Sequence, residues 1–251
     1  MKLLIAGTGR DIEKYWENTK KSLDIIFSSI DDYRCVFVES NSSDNTLNCM
    51  KEWANKDSRR IILTLGELSD ISRTVRIAKC RNTYLDYFKS NNLYDDYEYL
   101  LVIDIDDILN IESNFKDQLE SCFHNSDWDG VSSNRNDIYY DIWALRSNSD
   151  ILNCDYDCHL ESEKQNRLII SKYNKKGIIK QNLVIKRDFK HLLKNIPRDY
   201  GFIDCNSAFG GMTLYKTKMI KDKKYDGSTT CEHISFHTGL KMLINSKFIS
   251  G

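Results

Sequence analysis

The stretch Tyr99-Leu100-Leu101-Val102-Ile103-Asp104-Ile105-Asp106-Asp107 decides how this chain is read. An apolar run of strand length stops abruptly in three acids, as a buried strand does where it leaves the core. Carboxylates packed this closely repel one another, which raises their proton affinity unless a cation compensates. Hard divalent cations, Mg²⁺ or Mn²⁺, favour oxygen ligands and commonly bind one or two carboxylates together with a diphosphate. The plainer alternative is a strand end capped by solvated acids that help to start the next helix.

Working outward, residues 2–6, 34–38, 60–64 and 97–103 read as strands, with helical patterns over 11–30, 44–56 and 71–90 between them. Short apolar runs separated by helices predict parallel βαβ units with right-handed crossovers. Ser42-Ser43-Asp44 supplies side-chain oxygens that can cap the second helix. In such sheets ligands sit beyond the carboxyl ends of the strands. That rule gathers Gly7-Thr8-Gly9, Glu39-Ser40-Asn41 and the Asp104 cluster at one edge, although they are far apart in sequence.

The second half is less regular. Residues 129–133 and 138–145 read as strands, the latter rich in aromatics, and 200–216 as a glycine-punctuated strand or hairpin. Residues 160–195 are charged and mostly basic, with two helical patterns, and the Lys/Arg-rich part over 164–194 reads as a solvated helical face. No internal repeat or linker divides the 251 residues, so one domain is expected, with 1–107 binding a nucleotide and 108–251 an acceptor.

Lys plus Arg (36) nearly balances Asp plus Glu (37), which disfavours a nucleic-acid-coating role. The apolar start Met1–Gly7 is too short for a signal peptide, and no stretch is long enough for a membrane span. Eight cysteines in a chain read this way are expected to be reduced, in the cytoplasm. Cys154, Cys158 and His159 lack a second pair at zinc-site spacing, so structural zinc is not expected.

The acidic strand end, an Arg-bearing helix before it and a second strand ending in acidic and Ser/Asn residues resemble GT-A glycosyltransferases. More specifically, Glu39-Ser40-Asn41-Ser42-Ser43-Asp44-Asn45-Thr46, Arg76-Ile77-Ala78-Lys79-Cys80-Arg81-Asn82-Thr83-Tyr84-Leu85 and Cys231-Glu232-His233 resemble the fungal capsular mannosyltransferase group and its relatives in large DNA viruses. The similarity is tight over 34–107 and looser from 130 to 240. It implies an α/β, Rossmann-like GT-A fold, with a mixed, mostly parallel central sheet flanked by helices. It also implies hexosyl or deoxyhexosyl transfer from a nucleoside-diphosphate sugar to a glycan or glycoconjugate, with Mn²⁺ or Mg²⁺, UDP preferred to GDP, and retention slightly favoured. A viral member would work in the host cytoplasm.

The resemblance assigns roles. Ala6, Gly7 and Thr8, with Glu39 and Ser40, are expected to line the nucleoside pocket; Glu39 could instead serve the start of a helix. Arg76 and Arg81 are expected to offset diphosphate charge. Asp104 and Asp106 are the motif acids, the first touching ribose or metal-bound water and the second ligating the metal, with Asp107 as a bridge through water. A late histidine, His233 or His237, would complete the metal site. Gly210 and Gly211 resemble the loop beside the donor sugar, or mark a tight turn. Asp204 and Asn206 are candidates for sugar-hydroxyl contacts or general base catalysis, Glu232 for a catalytic base or an acceptor contact, and the aromatic stretch 134–146 is expected to contact the acceptor or to be a half-buried strand.

Two rivals stand beside this reading. A haloacid-dehalogenase-like phosphohydrolase also carries D-x-D, but at the end of its first strand rather than its fourth. A catalytically silent sugar binder could share the scaffold. A dinucleotide oxidoreductase is disfavoured, because Ile12 stands where G-x-G-x-x-G needs its third glycine.

Overall fold

Near-continuous burial along the first strands sets the architecture. In β1 (Lys2–Gly9), Leu3 and Ile5 face one side of a sheet while Leu4 and Ala6 face the other, and all four are fully buried. A strand covered on both faces needs helices on both sides. On one side lie α1 (Trp16–Ser28), α2 (Thr46–Ala54) and α5 (Phe115–Ser121), whose Trp16, Leu23, Met50, Trp53 and Phe115 join Leu3, Ile5, Phe37, Leu101 and Ile103. On the other side, α3 (Arg73–Ser90) brings Ala78, Tyr84, Leu85 and Phe88 against Leu4, Ala6, Val36, Val38 and Val102.

The computed structural model describes residues 1–68, 71–107, 109–161, 164 and 192–251. The remaining strands are β2 (Asp32–Glu39), β3 (Arg60–Thr64), β4 (Tyr99–Asp104), β5 (Gly130–Asn134), β6 (Phe202–Cys205), β7 (Met212–Lys216) and β8 (Met242–Ile249), with short helices α4 (Leu93–Asp96), α6 (Thr217–Ile220) and α7 (Glu232–His237). They form one eight-stranded sheet in the order β3-β2-β1-β4-β7-β5-β8-β6. The β3-β2-β1-β4 half is parallel throughout; β7 then runs antiparallel between β4 and β5.

Several expectations shift. The first helix starts at Trp16, not 11, because Asp11 adopts φ 52° and the backbone N–H groups of Asp11, Ile12 and Glu13 are taken by Ser42, Thr46 and Asp44. The same Asp44 carboxylate accepts from the Thr46 N–H at the start of α2, so it, rather than Ser42 or Ser43, serves that helix end. Residues 138–145 form no strand. They turn, held by isolated bridges of Tyr139 to Lys194 and Arg146 to Ser207. Residues 200–216 are two strands that do not pair: β7 enters the sheet centre, while β6 pairs with β8 at its edge. The basic stretch 164–194 falls mostly outside the described residues. All eight cysteines are free thiols.

Candidate functional site

A cleft of about 540 Å³ opens at the carboxyl ends of β1 and β4, between α3, α7 and the 140–143 turn. Thr8 and Gly9, where β1 ends, form its rim. Ala6 and Gly7, expected here, lie below it. β1 continues to Gly9, so Ala6 is buried under α3, and Gly7 is pressed so close to β4 that a Cβ would stand 2.8 Å from the Ile103 carbonyl oxygen.

Ser40 lines the cleft, whereas Glu39 does not. Glu39 is buried, and both its oxygens are engaged: Ser42 N–H donates to Oε1 at 2.7 Å and the Thr64 hydroxyl to Oε2 at 2.8 Å. It fixes the loop before α2 to the end of β3, which is the second of its two expected roles, broadened to a neighbouring strand.

Asp104 and Asp106 both face the cleft. Burial, opposed by Arg81 and reinforced by Asp106, Asp141 and Glu232, pushes the Asp104 carboxyl up to about 7. Arg81 also lines the cleft, already engaged by two acids. It is 3% exposed, its Nη2 donates to Asp104 Oδ1 and its Nε to Glu232 Oε1, each at 3.2 Å, and its guanidinium packs over Phe209. Arg76, expected here, and Arg73, which was not, also line the cleft and make no ion pair among the described residues, so both offer positive charge to an anionic ligand.

Gly210 and Gly211 act on the acids. Both have positive φ, and a Cβ on Gly210 would lie 2.3 Å from the Ser133 carbonyl oxygen. The Gly210 N–H donates to Asp141 Oδ2 at 3.1 Å, and the Gly211 carbonyl accepts the Asp104 N–H at 2.8 Å. One loop therefore sets two carboxylates.

Asp141 is the site residue that sequence reasoning left unsingled. It lies in the cleft beside Tyr140 and Trp143, and burial pushes its carboxyl up to about 6 despite the Gly210 N–H. The available signal was an acid inside an otherwise aromatic and apolar run, Tyr139-Tyr140-Asp141-Ile142-Trp143.

Glu232 opens α7 and is nearly buried against Arg81. His233 is 2% exposed, stacks on Phe209 with centroids 4.1 Å apart, and has no hydrogen bond to either ring nitrogen. Burial, and then the charge of Arg81, push its pKa far down, so the ring is neutral. His237 is locked between the Ser207 and Tyr215 hydroxyls at 2.8 and 2.7 Å.

Asp104, Asp106 and His233, the expected metal set, all line this cleft. No group of three or more His, Cys, Asp or Glu side chains among the described residues is placed to hold a metal ion. Asp104 turns an oxygen to Arg81, and His233, which lines the cleft, is stacked on Phe209. Asp204 is a second correction. Because β6 is an edge strand, Asp204 and Asn206 line a separate groove with Tyr200 and Lys241.

No protein-family model matches the chain, and no curated protein matches it in sequence. Solved structures do. Residues 1–349 of TarS from S. aureus superpose with a TM-score of 0.51 at 15% identity, covering 98% of this chain and 58% of that one. The same protein in complex with UDP-GlcNAc gives 0.50 at 16%, covering 98% and 56%, and in complex with UDP 0.50 at 17%, covering 98% and 58%. The chain has the GT-A fold. It spans somewhat over half the length of these neighbours. At this identity the likeness speaks for the GT-A fold alone, and the chemistry has to be argued from the cleft.

Proposed function

We propose that this GT-A chain is a metal-dependent glycosyltransferase, moving a sugar from a nucleoside-diphosphate sugar to a hydroxyl of a glycan or glycoconjugate. The observation that carries it is the meeting, in one cleft, of the strand-end acids Asp104 and Asp106 with Arg73 and Arg76, which make no ion pair among the described residues. A phosphohydrolase of the haloacid-dehalogenase kind would place its acids after the first strand, whereas these follow β4.

The donor set suits a hard cation. Several cleft carboxylates crowd around one buried Arg81, and the Asp104 carboxyl is pushed up to about 7, so a divalent ion would relieve their repulsion. Asp104 and Asp106 would hold it, as a two-carboxylate set completed by the diphosphate rather than by His233. Bound there, Mn²⁺ or Mg²⁺ supplies charge compensation to the departing nucleoside diphosphate.

The protein's own residues do the rest. Arg76 and Arg73 attract the diphosphate through charge-assisted hydrogen bonds. Thr8, Gly9 and Ser40 offer small side chains and backbone groups to the nucleoside. Tyr140 and Trp143 present aromatic faces on the other flank, where sugar C–H faces can stack. UDP is placed ahead of GDP, supported by the UDP and UDP-GlcNAc complexes of TarS. The kinship with capsular and viral mannosyltransferases rests on the motifs quoted above, and a cytoplasmic setting is supported by the eight free thiols.

The test is a thermal-shift panel of UDP, GDP and their common sugar conjugates, with and without Mn²⁺, on the wild type and Asp106→Ala. Stabilisation by one nucleotide that needs both the metal and Asp106 supports the reading. No response to any nucleotide with metal present sinks it.

A further inference from the structure

The cleft acids are not equivalent. Asp11 pairs with Arg10 and accepts from the Ser43 N–H and hydroxyl. Asp104 and Glu232 share Arg81, and Glu232 is nearly buried. Asp106 stands with Asp104 at the strand end. Asp141 lies beside Tyr140 and Trp143 in the same cleft, within reach of the charge of Arg81, and makes no ion pair among the described residues.

Its position is built rather than incidental. The Gly210 N–H fixes Oδ2, and the residue after Gly210 fixes the Asp104 backbone, so the loop that places the motif acid also places Asp141. A carboxylate held by a backbone N–H, outside any direct ion pair and facing a cleft, remains basic enough to accept a proton. Glu232, the candidate base expected from the sequence, is compromised for that task because Arg81 occupies Oε1.

Resting on the glycosyltransferase reading, we propose that Asp141 is the catalytic base that takes the proton from the attacking hydroxyl, and that transfer inverts the anomeric centre. The hydroxyl oxygen forms its bond to the anomeric carbon as the bond from that carbon to the diphosphate oxygen breaks. The bonding pair leaves on the nucleoside diphosphate, and the hydroxyl proton passes to the Asp141 carboxylate. A single displacement of this kind gives inversion, in contrast to the retention implied by the family resemblance.

The experiment needs no acceptor, because water can take its place. Wild type and Asp141→Asn are incubated with Mn²⁺ and α-linked UDP- and GDP-hexoses, and the released sugar is followed by proton NMR. Asn keeps an oxygen for the Gly210 N–H, so the loop is preserved. The expected result is β-hexose as the first product, with hydrolysis slowed about a hundredfold or more in Asp141→Asn. The nucleotide-plus-Mn²⁺ thermal shift should stay at the wild-type level in the variant. First release of the α anomer, or a variant rate within about threefold of wild type, overturns the assignment while leaving the transferase reading intact. Nucleotide binding by wild type without any hydrolysis also overturns it, since a base facing the anomeric carbon would activate water. A wild type that neither binds nucleotide nor hydrolyses donor overturns the transferase reading itself, and this assignment with it.

Discussion

Arg81 Nε donates to Glu232 Oε1 across 3.2 Å, joining the middle of α3 to the start of α7 over 151 positions of sequence. The same guanidinium reaches Asp104, so one buried cation neutralises acids from both halves of the chain. Replacing it with Met leaves Glu232 buried without its cation. Arg81→Met should cost about 3–5 kcal/mol, the range seen when one member of a buried ion pair is removed. Urea denaturation of the ligand-free protein measures this, and a loss under about 1 kcal/mol would show that the pair is not holding the two halves together.

Gly210→Ala tests whether the loop sets the acids. A Cβ there meets the Ser133 carbonyl at 2.3 Å, on a backbone with φ +65°. The left-handed conformation alone costs a non-glycine residue about 1–2 kcal/mol, and the clash adds to it. The variant should melt lower and lose turnover more than nucleotide affinity, because the displaced N–H no longer holds Asp141. Equal loss of both would point to general collapse of the cleft.

Acid should destabilise the fold through His237. Burial, with smaller contributions from Lys223 and Arg81, lowers its pKa from 6.5 to about 3. The folded state therefore binds fewer protons than the unfolded state between those values. Its contribution is present in full above the unfolded pKa of 6.5 and is lost as pH falls towards 3. Comparing denaturation from pH 7 to 4 in wild type and His237→Gln, the variant should be less stable at pH 7 but show a shallower fall. Parallel curves would refute a neutral buried imidazole.

Arg76→Ala addresses the donor site. Arg76 lines the cleft without an ion pair among the described residues, so its removal should leave the fold nearly untouched. Losing a charge-assisted contact to a diphosphate should weaken UDP or GDP binding by about tenfold or more. Calorimetric titration at two ionic strengths reads both this loss and a reduced salt dependence. Unchanged affinity would remove Arg76 from the donor site.

The motif strand was legible because it is local. Six residues of β4 end at Asp104, close to where the apolar run stops, and helices α1 to α3 separate β1 to β4 as the pattern required. Glu39 shows the limit of such reading. An acid at a strand end near a pocket looks like a ligand contact, yet whether its oxygens are free depends on Ser42 and Thr64, and Thr64 comes from another strand.

Sequence by itself thus determined the parallel half of the sheet and the acids at its edge. Strands buried on both faces must be apolar throughout, and that requirement is written residue by residue. Tertiary structure alone decided that β7 enters antiparallel beside β4, that β6 carries Asp204 away to the far edge, and that Gly210 brings Asp141 into the cleft. Those outcomes depend on which distant segments pair, and the free energy of that pairing belongs to contacts between segments rather than to the local pattern of either one.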